Sequence, residues 1–232
     1  MSRLDTALAW VADGQALFEH AVAGCSDLSG PSRLPEWTRG HVVTHVARNA
    51  EGLVRLLTWA RTGIQTPMYP SMAARAAAIE VGAGRPSAEQ LDDVRRTGAA
   101  FAAAAKELAA QHWAASVRTR HGSFPASTVP WLRVREVWLH LVDLDTGVGL
   151  DVLPDDIATA LVRDVADWMD SRAPTRVEVQ IPGGKPVLFG PETSAPVPVS
   201  GPVQELAGWL TGRASGGRLI APEGLPELSR WL

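Results

Sequence analysis

Helical periodicity over the first 150 residues constrains the fold of this chain more than any other feature of its sequence. In residues 3–24 the apolar side chains recur at roughly helical spacing, at Leu4, Leu8, Val11, Leu17, Phe18 and Val22. Thr38 is suited to cap a second helix, because its hydroxyl can accept a hydrogen bond from the first turn. That helix is predicted to run to about Arg61 and to end at Gly63.

Three more helical segments follow in the same part of the chain. An alanine-rich stretch predicts a short helix over residues 72–81. Ser87 and Gln90 then form a capping-box pattern that opens a helix to about His112, and its apolar side is mostly alanine, which predicts close approach to its neighbours. A further helix is predicted over residues 128–146, after residues that read as loop or short strand.

These segments predict a mostly α chain whose second domain is α+β. Four long helices and one short helix favour an antiparallel bundle over residues 1–150. The pattern changes after Gly149, and residues 151–232 indicate a smaller α+β domain. The elements predicted there are a helix from Pro154 to about Arg172, strands at RVEVQI (176–181), VLFG and PVPVS, and a helix from Pro202 to Leu210.

Charge and cysteine content restrict the compartment and the partners. The net charge of −3 gives no electrostatic reason to expect nucleic acid or an anionic membrane as partner. Cys25 is the single cysteine, so no internal disulfide is expected and a reducing cytosol is the natural compartment. The sequence shows neither a signal-peptide core nor an apolar run of membrane-spanning length. We expect a soluble cytoplasmic protein, and the sequence leaves its oligomeric state open, a monomer included.

A carboxylate and an imidazole stand four residues apart in the helix predicted over residues 128–146, at Glu136 and His140. On a helix this spacing places both side chains on one face, about one turn apart, where they can ligate one divalent metal. His41 and His45 have the same spacing in the second helix, and either can supply a third ligand across a bundle. Two histidines and one carboxylate with open positions are typical of catalytic zinc and non-haem iron sites.

Each of these patterns also has a purely structural interpretation. A Glu/His pair at this spacing is often a solvated or hydrogen-bonded pair, and His41 and His45 can equally be buried, hydrogen-bonded histidines. No nucleophile elbow, phosphate-binding glycine loop or dinucleotide-binding fingerprint accompanies them. Cys25 has no indicated partner histidine, and a small buried residue is its favoured interpretation. Spacing alone thus predicts a helical protein with a candidate metal site and leaves its function open.

Five segments together resemble one protein family. In chain order they are WTRGHVVTHVARNAEGL, TWARTGIQTPMY, PASTVPWLRVREVWLHLVDL, GWLTGR and the terminal RWL. Over nearly its whole length the chain resembles the mycothiol-dependent maleylpyruvate isomerases, which belong to the DinB-like metalloprotein superfamily. The resemblance implies an N-terminal DinB-like four-helix bundle that carries a divalent metal, usually zinc, followed by a C-terminal α+β domain.

The resemblance also implies which residues form the site. It assigns the metal ligands to His45, Glu136 and His140, and so selects His45 over His41, which spacing does not separate. It implies that Arg213, in the WLTGR segment of the C-terminal domain, is a catalytic and cofactor-binding residue. A guanidinium suits this role because it can hold a carboxylate through a fork of donors. Without the resemblance, a surface arginine that caps a helix end remains a credible interpretation of Arg213.

Three polar neighbours complete the predicted site. Asn49 lies one turn beyond His45 and is predicted to bind cofactor, by contact with a metal-bound water or a thiol. Asp143, three residues after His140, can orient an imidazole, but an exposed helix carboxylate is its favoured interpretation. His41 is expected to have a supporting or structural role.

The activity that the resemblance implies is the isomerisation of maleylpyruvate to fumarylpyruvate, in aromatic-compound catabolism of the gentisate type. A cis alkene rotates only after its double bond is lost, and a thiolate achieves this by adding, allowing rotation and leaving. Since Cys25 is the only thiol of the chain, an external thiol is chemically sensible, and the resemblance names it as mycothiol. The predicted partners are this thiol and a small-molecule acid. Two alternatives stay open: a mycothiol S-transferase acting on electrophiles, and a non-catalytic protein of the same fold that binds metal or a small molecule.

Overall fold

The chain forms two compact units, Met1–Val148 and Gly149–Leu232. The structure is a computed structural model that describes residues 2–193 and 195–231, so Leu232, which ends the terminal RWL segment, lies outside the described residues. The described residues contain seven α-helices: α1 (Arg3–Gly24), α2 (Arg39–Thr62), α3 (Met72–Ala83), α4 (Ser87–Glu107), α5 (Val129–Asp143), α6 (Asp155–Met169) and α7 (Val203–Leu210). They also contain five strands: β1 (Ser116–Thr119), β2 (Gly122–Pro125), β3 (Val177–Gln180), β4 (Val187–Phe189) and β5 (Val197–Ser200).

The start and the end of α2 follow from local residues. The Thr38 hydroxyl accepts a hydrogen bond from the backbone N–H of His41, and the His41 imidazole accepts the N–H of Thr38 in return. At the other end Gly63 adopts a left-handed φ of 73°, which glycine takes without steric cost. The predicted cap and stop of this helix are confirmed, and they define the helix that carries His45.

The capping box predicted for α4 is wrong. Pro86 holds the cap position, with an extended ψ of 144°, and Ser87 is the first helical residue. The side chain of Gln90 turns back and donates its amide to the carbonyls of Ala83 and Arg85. Gln90 therefore joins α4 to the end of α3, instead of closing the first turn of its own helix.

Three helices are also shorter than their sequence pattern predicts, and one of them is α6, which ends at Met169 and not near Arg172. α4 ends at Glu107 and not near His112, because Leu108 is extended and Ala110–Ala114 form a short 3₁₀ turn. Beyond α5, Asp145 has a left-handed φ of 54°, which the helical pattern does not reveal. Residues 114–127, predicted as loop or short strand, include the antiparallel hairpin of β1 and β2.

The four long helices α1, α2, α4 and α5 form the predicted bundle, with α3 packed on α2. α2 contacts α4 and α5, and α1 contacts the same two helices, so each long helix has two long neighbours. Gly14 of α1 lies directly against Trp138 of α5, whose indole N–H donates to the Trp10 carbonyl at 2.9 Å. This close contact holds the helix that carries Glu136 and His140.

The second unit combines α6 and α7 with a three-stranded sheet of order β4-β3-β5. β3 pairs antiparallel with β4 and parallel with β5. Val177 and Val179 of the central strand are buried, in the period-two alternation that predicts a strand. The predicted fold class, a helical bundle followed by a small α+β unit, is confirmed. No helix in the part of the chain that the structure describes is both long enough and apolar enough to cross a bilayer.

Candidate metal centre

Three potential metal ligands from two helices lie in one cluster. His45 comes from α2, and Glu136 and His140 come from successive turns of α5. One ligand atom of each residue lies within 4.8 Å of the other two. Glu136 Oε2 is 2.9 Å from His45 Nε2 and 3.3 Å from His140 Nε2. The bundle thus brings together the three side chains that the family resemblance implies as ligands.

The buried carboxylate oxygen at the middle of this cluster is suited to bind a metal. Glu136 Oε2 is buried, yet among the described residues none gives it a well-directed hydrogen bond, despite the two short distances. A buried carboxylate oxygen left in this state is destabilising unless a cation or a water satisfies it. Two imidazoles and one carboxylate are a donor set that suits zinc and other divalent first-row metals. The residues present therefore fit a divalent metal.

The charges of these side chains depend on one another. Burial acts to raise the pKa of Glu136, but the adjacent imidazoles outweigh it and hold that pKa well below its ordinary value. Burial lowers the pKa of His45, against the opposing charge of Glu136. Burial also acts to lower the pKa of His140, but the carboxylates of Asp143 and Glu136 outweigh it and raise that pKa. The cluster thus offers an ionised carboxylate and a neutral His45, which are the forms that bind metals.

Asp143 holds the outer nitrogen of one candidate ligand. Its Oδ2 lies 2.9 Å from His140 Nδ1. An ionised carboxylate can only accept a hydrogen bond, so the neutral His140 ring carries its proton on Nδ1. Its Nε2 lone pair then points to the cluster and is available to bind a metal. The favoured prediction of an exposed carboxylate is wrong: Asp143 is 0% exposed. Position i+3 shares the inward face of α5 with His140, which is why the side chain is buried.

Two residues that border the cluster are not assigned to the site from the sequence. Arg75, in the first turn of α3, places a guanidinium nitrogen 2.9 Å from His45 Nδ1. The same guanidinium lies over the Tyr69 ring, 5.6 Å from its centroid. Burial raises the pKa of Tyr69, and the charge of Glu136 acts in the same direction. The one signal in the sequence is an isolated arginine in an otherwise alanine-rich helical segment.

His41 lies outside the cluster and supports α2. Its Nδ1 is 2.7 Å from the Thr38 hydroxyl, and its Nε2 is 3.2 Å from a carboxylate oxygen of Glu80 on α3. The Trp37 ring stacks on His41 at 6.1 Å and stands edge-on to His45 at 5.5 Å, measured between ring centroids. These contacts agree with the structural role expected of His41 and place an indole directly against a candidate ligand.

Asn49 faces a buried arginine. Arg133 is 0% exposed and donates to Asn49 Oδ1 at 3.0 Å. It also donates to the Val46 carbonyl and to Gln15 Oε1, at 2.7 and 2.8 Å. Burial lowers the pKa of Arg133 to about 10, with the charge of Glu136 opposing it. The side-chain carbonyl of Asn49 thus already accepts a hydrogen bond from Arg133. The cofactor contact predicted for Asn49 would therefore use its amide nitrogen.

Arg213 lies in the second unit, just after α7. Gly212 adopts a left-handed φ of 72° there, and the backbone N–H of Arg213 donates to the Gly208 carbonyl at 2.7 Å. The half-buried guanidinium donates to the Thr211 carbonyl at 3.0 Å. The chain at this point therefore ends a helix and holds the arginine in a defined position.

The sequence and the structure are both similar to known proteins. Over residues 11–145 the sequence matches the family model described as the mycothiol maleylpyruvate isomerase N-terminal domain. The structure is similar to the crystal structure of the mycothiol-dependent maleylpyruvate isomerase, with a TM-score of 0.91, 28% sequence identity, and coverage of 99% of this chain and 98% of that chain. A histidine-to-alanine mutant of that isomerase is similar with the same values. No curated protein matches the sequence.

Proposed function

The chain belongs to the mycothiol-dependent maleylpyruvate isomerase family, and from this premise we propose that it is a mycothiol-dependent cis–trans isomerase that converts maleylpyruvate to fumarylpyruvate. The observation that carries the proposal is the cluster of His45, Glu136 and His140, inside a fold similar over its whole length to that of such an isomerase. The proposed cofactors are zinc, or another divalent metal, and mycothiol. The proposed setting is the cytoplasm, in the catabolism of aromatic compounds.

The proposed reaction uses a thiolate to remove and then restore a double bond. The sulfur of mycothiol forms a bond to one alkene carbon while the π electrons move to the conjugated carbonyl, which becomes an enolate. The former double bond is now single and rotates. The enolate then collapses, the alkene re-forms in the trans arrangement and the C–S bond breaks, so that the thiolate leaves unchanged.

The residues of the bundle are proposed to hold the metal and to fix its ligands. His45, Glu136 and His140 would bind it, and when bound it supplies a lowered thiol pKa or a polarised carbonyl. Asp143 keeps His140 in the tautomer whose Nε2 can ligate. Asn49 is proposed to contact the thiol or a bound water through its amide nitrogen.

An assay with mycothiol and maleylpyruvate tests the proposal. We expect catalytic formation of fumarylpyruvate that requires the thiol. A stable thioether without isomerised product would indicate a mycothiol S-transferase instead, and no reaction at all would indicate a non-catalytic binding protein.

Glu136→Gln should lower kcat/KM by about a hundredfold or more, because it removes a ligand charge. Glu80→Gln, which changes an exposed glutamate on α3, is the matched control and should retain activity.

Arg213 is proposed to hold a substrate carboxylate or the developing enolate charge through paired N–H donors. We expect Arg213→Ala to keep its metal and to lower kcat/KM by about 10²–10³-fold, the usual effect of removing one donor to a developing anion. Arg218→Ala removes a more exposed arginine of the same unit, which pairs with Glu205, and should leave kcat/KM unchanged. Full activity of Arg213→Ala would show that this arginine has no catalytic role.

A further inference from the structure

The two candidate histidine ligands differ in what faces their outer ring nitrogen. His140 Nδ1 lies against the Asp143 carboxylate, which can only accept a hydrogen bond. His45 Nδ1 lies 2.9 Å from an Arg75 guanidinium nitrogen, which can only donate one. A neutral His140 therefore carries its proton on Nδ1, and a neutral His45 carries its proton on Nε2. These partners favour opposite tautomers for the two neutral rings.

Only one of these tautomers can bind a metal through Nε2. Coordination needs the Nε2 lone pair, which His140 has and which His45 lacks while it accepts from Arg75. If the proton of His45 moves to Nδ1, two donors face each other at 2.9 Å and the hydrogen bond becomes a repulsion. The positive charges of metal and guanidinium add a second repulsion. Metal binding at His45 Nε2 and the Arg75–His45 contact therefore exclude each other.

The position of Arg75 limits where its guanidinium goes when that contact is broken. The residue is half-buried in the first turn of α3, and the Tyr69 ring lies under the guanidinium at 5.6 Å. Within residues 2–193 and 195–231, no carboxylate forms an ion pair with it. A guanidinium displaced from His45 thus remains beside the centre as a positive charge without an acid partner.

We propose that Arg75 exchanges partners with the metal: it binds His45 in the metal-free protein and a substrate carboxylate in the metal-loaded protein. A planar guanidinium forms paired hydrogen bonds to a carboxylate, and the acid of the proposed reaction carries carboxylates. The second half of this inference rests on the proposed function, and the first half rests on geometry alone. Because Arg75 is released from His45 only when the metal binds, the metal binds before the carboxylic acid substrate. The guanidinium also makes the site selective for anionic substrates.

The tautomer of His45 tests the first half directly. Long-range ¹H–¹⁵N NMR spectra of the metal-free protein distinguish protonated from unprotonated ring nitrogens, and a His45→Gln variant assigns the signals. We expect an unprotonated Nδ1 in the wild type and loss of this single tautomer in Arg75→Met. A protonated Nδ1 in the metal-free wild type would overturn the inference.

Zinc affinity gives a second readout that needs no turnover. In competition with a chelating dye, Arg75→Met should bind zinc about tenfold more tightly than the wild type, since one opposing hydrogen bond of ordinary strength is lost. Arg75→Lys keeps a donor and a charge and should bind zinc as the wild type does. Arg61→Met changes an exposed arginine at the end of α2 and should have no effect. Equal or weaker zinc binding by Arg75→Met would contradict the exchange.

Maleate, a cis-dicarboxylate, tests the second half on the zinc-loaded protein. In calorimetric titrations its affinity should fall about tenfold in Arg75→Met, recover partly in Arg75→Lys and stay unchanged in Arg61→Met. An unchanged affinity in Arg75→Met would overturn the proposed carboxylate contact. A protein that behaves as expected in these titrations but does not isomerise maleylpyruvate would refute the proposed function and leave the assignment of Arg75 in place.

Discussion

At the level of single residues, the two imidazoles of the candidate metal centre differ in the charged group that faces their Nδ1 atoms. The buried Asp143 carboxylate faces His140 Nδ1, where it increases the basicity of the ring and fixes its orientation. The Arg75 guanidinium faces His45 Nδ1 and has the opposite effect. We therefore propose that His140 on α5 is the stronger candidate ligand and His45 on α2 the weaker one.

Replacement of Asp143 tests this difference. We expect Asp143→Asn to weaken zinc binding by about 10–100-fold, because the isosteric amide removes the charge that supports His140. Zinc affinity measured by dye competition is the readout. Asp145→Asn is the matched control: Asp145 lies in the loop after α5 and pairs with Arg33, and asparagine tolerates its left-handed φ of 54°. Equal zinc affinities for the two variants would show that Asp143 does not support the centre.

The part of the site that can be predicted from sequence depends on the range of each interaction. Glu136 and His140 lie one turn apart on one helix, so local geometry already pairs them. His45 joins them only through the packing of α2 on α5, and the family resemblance, not spacing, selects it over His41. Arg75 reaches the cluster through a long side chain from a short helix, and no local pattern encodes that contact.

At the level of elements, the contact between α1 and α5 requires a glycine. A Cβ at Gly14 would lie 2.5 Å from Trp138 Nε1 and 2.6 Å from Val137 Cγ2. The indole is 2% exposed and donates to the Trp10 carbonyl, so it cannot move without losing that hydrogen bond. This contact anchors the helix that carries two of the three candidate ligands.

Gly14→Ala should therefore lower the free energy of unfolding by about 1–2 kcal/mol, since overpacking outweighs the better helix propensity of alanine. Urea denaturation followed by circular dichroism measures the change. Gly24→Ala, at the last residue of the same helix, has nothing within 4 Å of the new methyl group and should be neutral or stabilising. A Gly14→Ala variant as stable as Gly24→Ala would contradict this packing.

A buried acid also joins α2 to α4. Asp93 is 5% exposed, and its carboxylate accepts hydrogen bonds from Arg48, Arg85 and Arg96. Burial acts to raise the pKa of Asp93, but the hydrogen bond from Arg85 and the surrounding positive charges outweigh it and lower that pKa. The pKa of Asp93 is lower in the folded state than in the unfolded state. Its ionised carboxylate therefore stabilises the fold fully at pH values above the unfolded-state pKa. This stabilisation is lost as the pH falls through the folded-state pKa.

Asp93→Asn should accordingly cost about 3–5 kcal/mol of unfolding free energy at pH 7, the usual effect of removing one partner of a buried ion pair. The difference from the wild type should shrink as the pH falls below about 4, the ordinary pKa of an unfolded aspartate, and should vanish once the folded-state acid is protonated as well. Urea denaturation at several pH values measures both effects. Asp92→Asn changes the neighbouring exposed acid and should show neither of them.

Element boundaries can be predicted where a local signal has no competitor. Thr38 and Gly63 bound α2 as predicted, because cap and stop need only neighbouring backbone groups. Ser87 carries an equally good signal but follows Pro86, whose restricted φ places the cap one residue earlier. The parallel pairing of β3 with β5 joins strands that are separated by β4, and the alternation within each strand does not determine which strands pair.

At the level of the whole molecule, the candidate metal ligands belong to the first unit and the proposed anion-holding Arg213 belongs to the second. The similarity to the isomerase covers 99% of the chain, so both units belong to the shared fold. The order of predicted helices and strands predicts a change of domain after Gly149, because each element carries its own periodicity. The chemistry of Arg213 is not contained in such a pattern and depends on the proposed function.

The metal content of the purified protein tests the central claim most directly. After dialysis, inductively coupled plasma mass spectrometry should find about one divalent metal ion per wild-type chain, as a single three-ligand site requires. His45→Ala, Glu136→Ala and His140→Ala should each lose most of it while remaining folded. His41→Ala, which removes the other histidine of that helical turn, should retain it. Wild-type protein without stoichiometric metal, or a His45→Ala variant that keeps it, would contradict the account.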